Sequence, residues 1–266
     1  MMERRERPRI VVTADDFGMS GRINRAIVLA FERGTVSRAS IMANMPGFAE
    51  ACVLADRHGL HGRIGVHLNL SEGTPLTHAI RGQGRFCGAS GRFIGRRTMM
   101  WLSRAEQDAV EAELDQQIAV VRSRGIEPTH LDSHHHFHTE WAIGTLVIRV
   151  ARRHGIAAVR PGRNGGATSG VLRMLYKRAY NHRLGRAGVA GTEYYGGVPD
   201  VLRAAPATGG TYEVNVHPGL DGRDVVVDRL SGEDLTSVIA RLRTVAVVET
   251  PGAQTADVVR ASGGAR

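Results

Sequence analysis

Nine consecutive residues, His130-Leu131-Asp132-Ser133-His134-His135-His136-Phe137-His138, hold five histidines and an aspartate. Read as a β-strand, they place His130, Asp132, His134, His136 and His138 on one face, with Leu131, Ser133, His135 and Phe137 on the other. A carboxylate and several imidazoles on one face are costly to bury without partners, and together they form a donor set for a borderline divalent metal. A second chemical signal is Asp15-Asp16-Phe17-Gly18, directly after the apolar run Arg9–Ala14. Two adjacent carboxylates at the end of a buried strand call for a metal or a proton relay, because a helix cap there, from Asp16 or Ser20, needs only one. His67 near the end of Ile64–Leu70, and His217 after Glu213-Val214-Asn215-Val216, repeat the pattern of a histidine at a strand terminus.

One carboxylate and two imidazoles make a three-ligand metal site that stays open to water and substrate. A divalent ion held there lowers the pKa of water and polarises a carbonyl oxygen. A second carboxylate can act as general base, and a histidine from another strand can protonate a leaving amine, a division of labour that suits amide hydrolysis. The chain has no Gly-x-Ser-x-Gly motif, and neither Cys52 nor Cys87 has a convincing partner, so a Ser or Cys nucleophile does not compete. Alternation leaves open which of His134, His136 and His138 binds the metal.

The elements that must position these groups read as alternating strands and helices. Arg9–Ala14 is a first strand, followed by a helix through Ile23, Ala26, Ile27 and Ala30 that closes at Gly34. A strand over Val36–Met42, a helix over Phe48–His58 and a strand over Ile64–Leu70 come next. Ser71–Met100 lacks periodicity and has the length of a lid or binding loop. Ser103-Arg104-Ala105-Glu106 is a capping box that opens a helix with Val110, Leu114, Ile118 and Val121 on its apolar stripe. After the histidine stretch come a helix over Trp141–His154, a short strand Ala157–Arg160, helical character at Leu172–Tyr180 and Leu230–Arg243, and a strand Glu213–Gly219. Such alternation gives an α/β domain with a mostly parallel sheet, whose sites form at the C-terminal ends of the strands. Asp15, Asp16, His67, the histidine stretch and His217 all fall there.

The formal charge is +9, but the basic residues are scattered arginines with Lys177 as the one lysine, so no nucleic-acid partner is expected. No apolar run approaches a membrane span, and two cysteines without metal-site spacing fit free thiols, so the expected location is cytoplasmic. Oligomeric state is not readable from the sequence.

Four motifs together resemble the YdjC-like carbohydrate deacetylases: Thr13-Ala14-Asp15-Asp16-Phe17-Gly18, Gly65-Val66-His67-Leu68-Asn69-Leu70, Asp132-Ser133-His134-His135-His136-Phe137-His138, and His217-Pro218-Gly219. The match is collinear. The resemblance implies one TIM-barrel-like (β/α) domain, with room for distortion, over residues 1–266: a core of about 9–219, a variable insertion at 162–210 and a frayed tail from Ala261. It implies removal of the N-acetyl group from an N-acetylated amino sugar, in an oligosaccharide or a glycosylated metabolite, with one divalent ion, zinc or magnesium. It further implies that Asp16, His67 and His134 hold the metal, Asp15 is the base, His217 the acid and Arg160 the residue that orients the base. Asn69, Glu72, His136 and His138, in or beside these motifs, are expected to contact substrate. The competing expectations are a two-metal phosphoesterase or other amidohydrolase, and a non-catalytic metal- or nucleic-acid-binding protein.

Overall fold

The computed structural model describes residues 7–95, 101–166 and 170–250. β1 (Arg9–Phe17) is followed by α1 (Gly21–Glu32), β2 (Arg38–Ile41), α2 (Phe48–Arg57) and β3 (Ile64–Leu68). A long excursion containing the single-turn α3 (His78–Arg81) leads to α4 (Arg104–Arg122), β4 (Leu131–Ser133), α5 (Trp141–Arg153) and α6 (Val171–Ala187). The chain continues through β5 (Tyr194–Gly196), α7 (Val198–Thr208), β6 (Thr211–Val216), β7 (Pro218–Leu220), β8 (Val226–Asp228), α8 (Leu235–Val245) and β9 (Val247–Val248). The interval 162–210, expected to be a variable insertion, therefore carries two helices and a strand; the tail from Ala261 lies outside the described residues.

β1 is the longest strand and lies inside the sheet, with Ile10, Val12, Ala14 and Phe17 fully buried. The parallel sheet runs in the order β4-β3-β2-β1-β6-β5, and β9 lies beside the start of β1. β7 and β8 form a separate antiparallel hairpin. Val159 bridges Leu131 on one side and Ala190 on the other, both in parallel, and so curls the sheet beyond β4. Among the described residues these segments make single bridges and not strands, and the sheet is a curled parallel half-barrel. The bridges are short for a local reason: Pro161 follows Arg160 without a donor, and the left-handed Gly188 precedes the pair of ladder bonds from the Val159 N–H to the Val189 carbonyl and from the Gly191 N–H to the Val159 carbonyl.

Caps set the helix boundaries. Ser20, not Asp16, caps α1, its hydroxyl accepting from the Ile23 N–H. The capping box of α4 is formed in both directions between Ser103 and Glu106. Asp234 accepts from the Thr236 N–H and starts α8 at Leu235, five residues after the hydrophobic pattern begins at Leu230. α4 turns Leu114, Ile118 and Val121 inward and α5 turns Leu146, Val147 and Val150 inward, which roofs the β3–β4 side of the sheet with apolar surface. Gly65 in β3 has a packing reason: a Cβ there would stand 2.5 Å from the His130 ring, which lies flat on the strand. Among the described residues no helix is long and apolar enough to cross a membrane.

Candidate active site

The C-terminal ends of β1, β3, β4 and β6 deliver the site. At the end of β1 the backbone enters the left-handed region at Asp16, with φ 72°. On a regular strand Asp15 and Asp16 would face opposite sides; the turn lets both carboxylates serve one pocket, and both are almost fully buried. Such a conformation costs a non-glycine residue on the order of 1–2 kcal/mol and persists where the surroundings enforce it.

The histidine stretch departs from the alternation read in the sequence. β4 stops at Ser133, and His134–Thr139 forms a 3-10 turn in which His135 and His136 both have φ 55°. The histidines therefore fan out instead of sharing a face. His134 Nδ1 lies 2.9 Å from Asp16 Oδ1. His136 turns towards Tyr195, its Nε2 being 3.4 Å from the phenol oxygen. His138 is fully buried, with Nδ1 2.6 Å from Ser133 Oγ and its ring against Tyr180. Burial, reinforced by the Arg160 charge, brings the His136 imidazole down to about 4, so the ring stays neutral at ordinary pH.

Donor atoms of Asp16, His67 and His134 all lie within 4.8 Å of one another. His67 Nε2 faces Asp16 Oδ1 at 3.4 Å, while its Nδ1 is held 2.7 Å from Asp132 Oδ1 and 3.0 Å from Ser40 Oγ. That arrangement fits a divalent cation: a carboxylate and two imidazoles converge, and the outer nitrogen of His67 is fixed by a carboxylate, as metal-bound histidines usually are. The electrostatics agree. Burial would push the His67 imidazolium down, but Asp132, Asp16 and Asp15 outweigh it and raise the group to about 10. Burial would raise the Asp16 carboxyl, but hydrogen bonds from His134 and His67 hold it far below the usual carboxylate range. The pocket thus favours positive charge. Arg229, from the end of the β7–β8 hairpin, also pairs with Asp16.

Asp15 has a different set of partners. Arg160 Nη1 and Nη2 donate to its two oxygens at 2.9 and 2.7 Å, and Asn215 Nδ2 donates to Oδ2 at 2.9 Å. His217 Nε2 is 3.8 Å from the same Oδ2, and His217 Nδ1 is 3.7 Å from Asp228 Oδ1. Arg160 also pairs with Asp132 at 2.6 Å and donates from Nε to Glu213 at 2.7 Å. Burial alone would pull the Arg160 guanidinium down, yet Asp132, Asp15 and Glu213 together hold it charged well above its ordinary range. Glu213 accepts in turn from Thr13 at 3.0 Å and pairs with Arg38 at 2.7 Å.

Burial would raise the Glu213 carboxyl, but Arg160 and Arg38 outweigh it and bring it from 4.5 to about 2. Because the folded-state value is the lower one, its contribution to stability is complete above about pH 4.5 and is lost as the pH falls towards 2. Unfolding free energy measured from pH 6 to 2 is expected to fall more steeply for the wild type than for Glu213→Gln; equal slopes would contradict this assignment.

Asn69 is fully buried, and its amide is used within the fold: Oδ1 accepts from the Ser71 and Glu72 N–H groups and Nδ2 donates to the Glu72 carbonyl. Its side chain holds the turn that carries Glu72. Glu72 is over a third exposed and approaches His134 Nε2 at 3.2 Å. The sequence reading passed over Ser40, Asn215, Glu213, Tyr195, Asp228 and Arg229, and gave Asp132 no separate role. Glu213, Asn215 and His217 alternate by two, so period-2 counting back from His217 finds the first two. Arg229 and Asp228 reach the site through the hairpin, which left no comparable signal.

The family model described as YdjC-like protein matches residues 9–256. A carbohydrate deacetylase of Brevibacillus brevis is 36% identical over 157 residues, covering 58% of this chain and 59% of that protein. A carbohydrate deacetylase of Halalkalibacterium halodurans is 36% identical over 152 residues, covering 56% and 62%. The chain thus matches about three-fifths of the length of these curated relatives. Among solved structures, an Enterococcus faecalis protein described as a cellobiose-phosphate cleavage protein superposes with a TM-score of 0.69 at 19% identity, covering 92% of this chain and 98% of that one, a likeness of fold.

Proposed function

The chain belongs to the YdjC-like family, and on that premise we propose that it is a metal-dependent carbohydrate N-deacetylase, hydrolysing the acetamide of an N-acetylated amino sugar to acetate and a free amine. The observation that carries this reading is the separation of duties between the adjacent carboxylates: Asp16 converges with His67 and His134, whereas Asp15 lies between Arg160 and His217.

Asp16, His67 and His134 would hold one divalent ion, zinc or magnesium, which when bound polarises the amide carbonyl and acidifies water. Asp15 is the general base. Its orientation is fixed by the two-pronged grip of Arg160 and by Asn215, and Oδ2, on the His217 side, takes the proton of the attacking water. His217 is the general acid: Nε2 points into the pocket, the Nδ1 side rests near Asp228, and the ring gives its proton to the amine as the carbon–nitrogen bond breaks. Arg160 is buried behind Asp15 and acts on its geometry, not on substrate. Tyr195 and His136 form the wall on which the sugar would rest. Two buried free thiols, Cys52 and Cys87, agree with a reducing compartment, and we place the enzyme in the cytoplasm.

A second reading has one observation in its favour. Glu72, His134 and His135 form a further group with converging donor atoms, which could serve a second ion in a phosphoesterase. Incubation with N-acetylated amino sugars and, separately, with sugar phosphates tests the two readings together. Deacetylation predicts free amine and acetate in equal amounts and no inorganic phosphate; phosphate release without amine would replace it.

A further inference from the structure

Each imidazole of the candidate cation centre has one nitrogen turned to Asp16 and the other turned to a carboxylate outside it. For His67 the outer carboxylate is Asp132, fully buried, 2.7 Å from Nδ1. For His134 it is Glu72, whose Oε1 lies 3.2 Å from Nε2. His134 Nε2 is itself buried and makes no hydrogen bond, and the Glu72 carboxylate is the charged group that approaches it. We propose that Glu72 is a positioning residue for the cation centre: it fixes the ring of His134 as Asp132 fixes that of His67. This inference rests on the reading of Asp16, His67 and His134 as metal ligands, and it gives Glu72 a role other than the substrate contact expected from the sequence.

A glutamate on a loop orients a ring only if its backbone is held, and here it is. The Glu72 carbonyl accepts from Asn69 Nδ2 at 2.8 Å and from Asn44 Nδ2 at 3.0 Å, and the Glu72 N–H donates to Asn69 Oδ1 at 3.1 Å. Asn69 is anchored to α4 through Gln117, which accepts from its N–H at 2.9 Å and donates to its carbonyl at 2.7 Å. Gln117 is fully buried and donates as well to Glu113, which binds the Leu76 and Thr77 N–H groups farther along the same excursion. Ser71 Oγ, one residue before Glu72, stands 3.0 Å from His135 Nδ1, and the His135 ring lies tilted against His134 with centroids 4.1 Å apart. The segment 69–72 therefore grips the left-handed histidine turn at two points. The two outer carboxylates differ in accessibility: Asp132 is sealed in the core, and Glu72 stands at the opening.

Binding of zinc or magnesium alone, measured by competition with a chelator together with ions bound per chain, tests this on the full-length protein. Glu72→Ala is expected to weaken ion affinity on the order of 10- to 100-fold at one ion per chain, with the thermal midpoint of the ion-stripped protein unchanged. Glu72→Gln, which keeps an acceptor oxygen, is expected to recover part of that affinity. Wild-type affinity in Glu72→Ala with a raised KM alone would overturn the inference and return Glu72 to the substrate. A fall from two ions to one would also overturn it, making Glu72 a ligand of a second ion. Failure of the wild type to bind either ion would instead remove the metal reading on which the inference stands.

Discussion

Asp15→Asn is expected to lower kcat for deacetylation by roughly 10²- to 10⁴-fold while leaving ion binding and KM close to wild type. The amide keeps the shape of the carboxylate but cannot take a proton from water. Ion binding persists because Asp16, His67 and His134 converge without Asp15, whose oxygens are taken by Arg160 and Asn215. The substitution carries a structural cost as well, since the Asn NH2 group faces one of two guanidinium donors that now hold Asp15 at 2.7 and 2.9 Å. Steady-state kinetics beside ion titration separates the two effects. A variant that turns over normally would remove Asp15 as base, and one that loses the ion would place Asp15 among the ligands.

Arg160→Met is expected to have the largest effect on stability of any single change near the site. Arg160 is the only cation in contact with both Asp15 and Asp132 among the described residues, and it shares Glu213 with Arg38. All three carboxylates are buried, with 1%, 0% and 1% exposure, so removing the guanidinium leaves charges that neither water nor another group can fully compensate. Breaking a buried ion pair in this way costs about 3–5 kcal/mol, which urea unfolding would register as a large drop in midpoint. Activity is expected to disappear with it, because Asp15 loses its orientation. Arg160→Lys should restore part of the stability and little of the activity: an ammonium supplies the charge but not the fork that spans both oxygens of Asp15. Near-wild-type stability in Arg160→Met would show that the carboxylate cluster is neutralised by other means.

Much of this architecture was legible beforehand, for identifiable reasons. Strand termini carry their signals in adjacent residues, so Asp15-Asp16 after an apolar run and His217 after Glu213–Val216 could be placed at one end of a parallel sheet. The capping box at Ser103–Glu106 was equally local. The histidine stretch was misread as a continuous strand because alternation assumes extended backbone, whereas two successive left-handed residues, His135 and His136, turn the chain after Ser133. Nothing in the side-chain types announces that turn. The curl of the sheet beyond β4 was equally hard to read, because Val159 and Ala190, beside Pro161 and the left-handed Gly188, make single bridges and not strands. Partners supplied from distant sequence, such as Arg38 to Glu213 and Arg229 to Asp16, arise from register and hairpin geometry that hydrophobic periodicity does not encode.

The most direct test of metal-dependent deacetylation is acetate release from N-acetylglucosamine oligomers by the wild-type protein as prepared, after chelation, and after zinc or magnesium is restored. The account predicts acetate formation that vanishes with the chelator and returns with the ion. Acetate release undiminished by complete removal of the ion would contradict the role given to Asp16, His67 and His134, and no acetate from any N-acetylated amino sugar with the ion bound would contradict the proposed reaction itself.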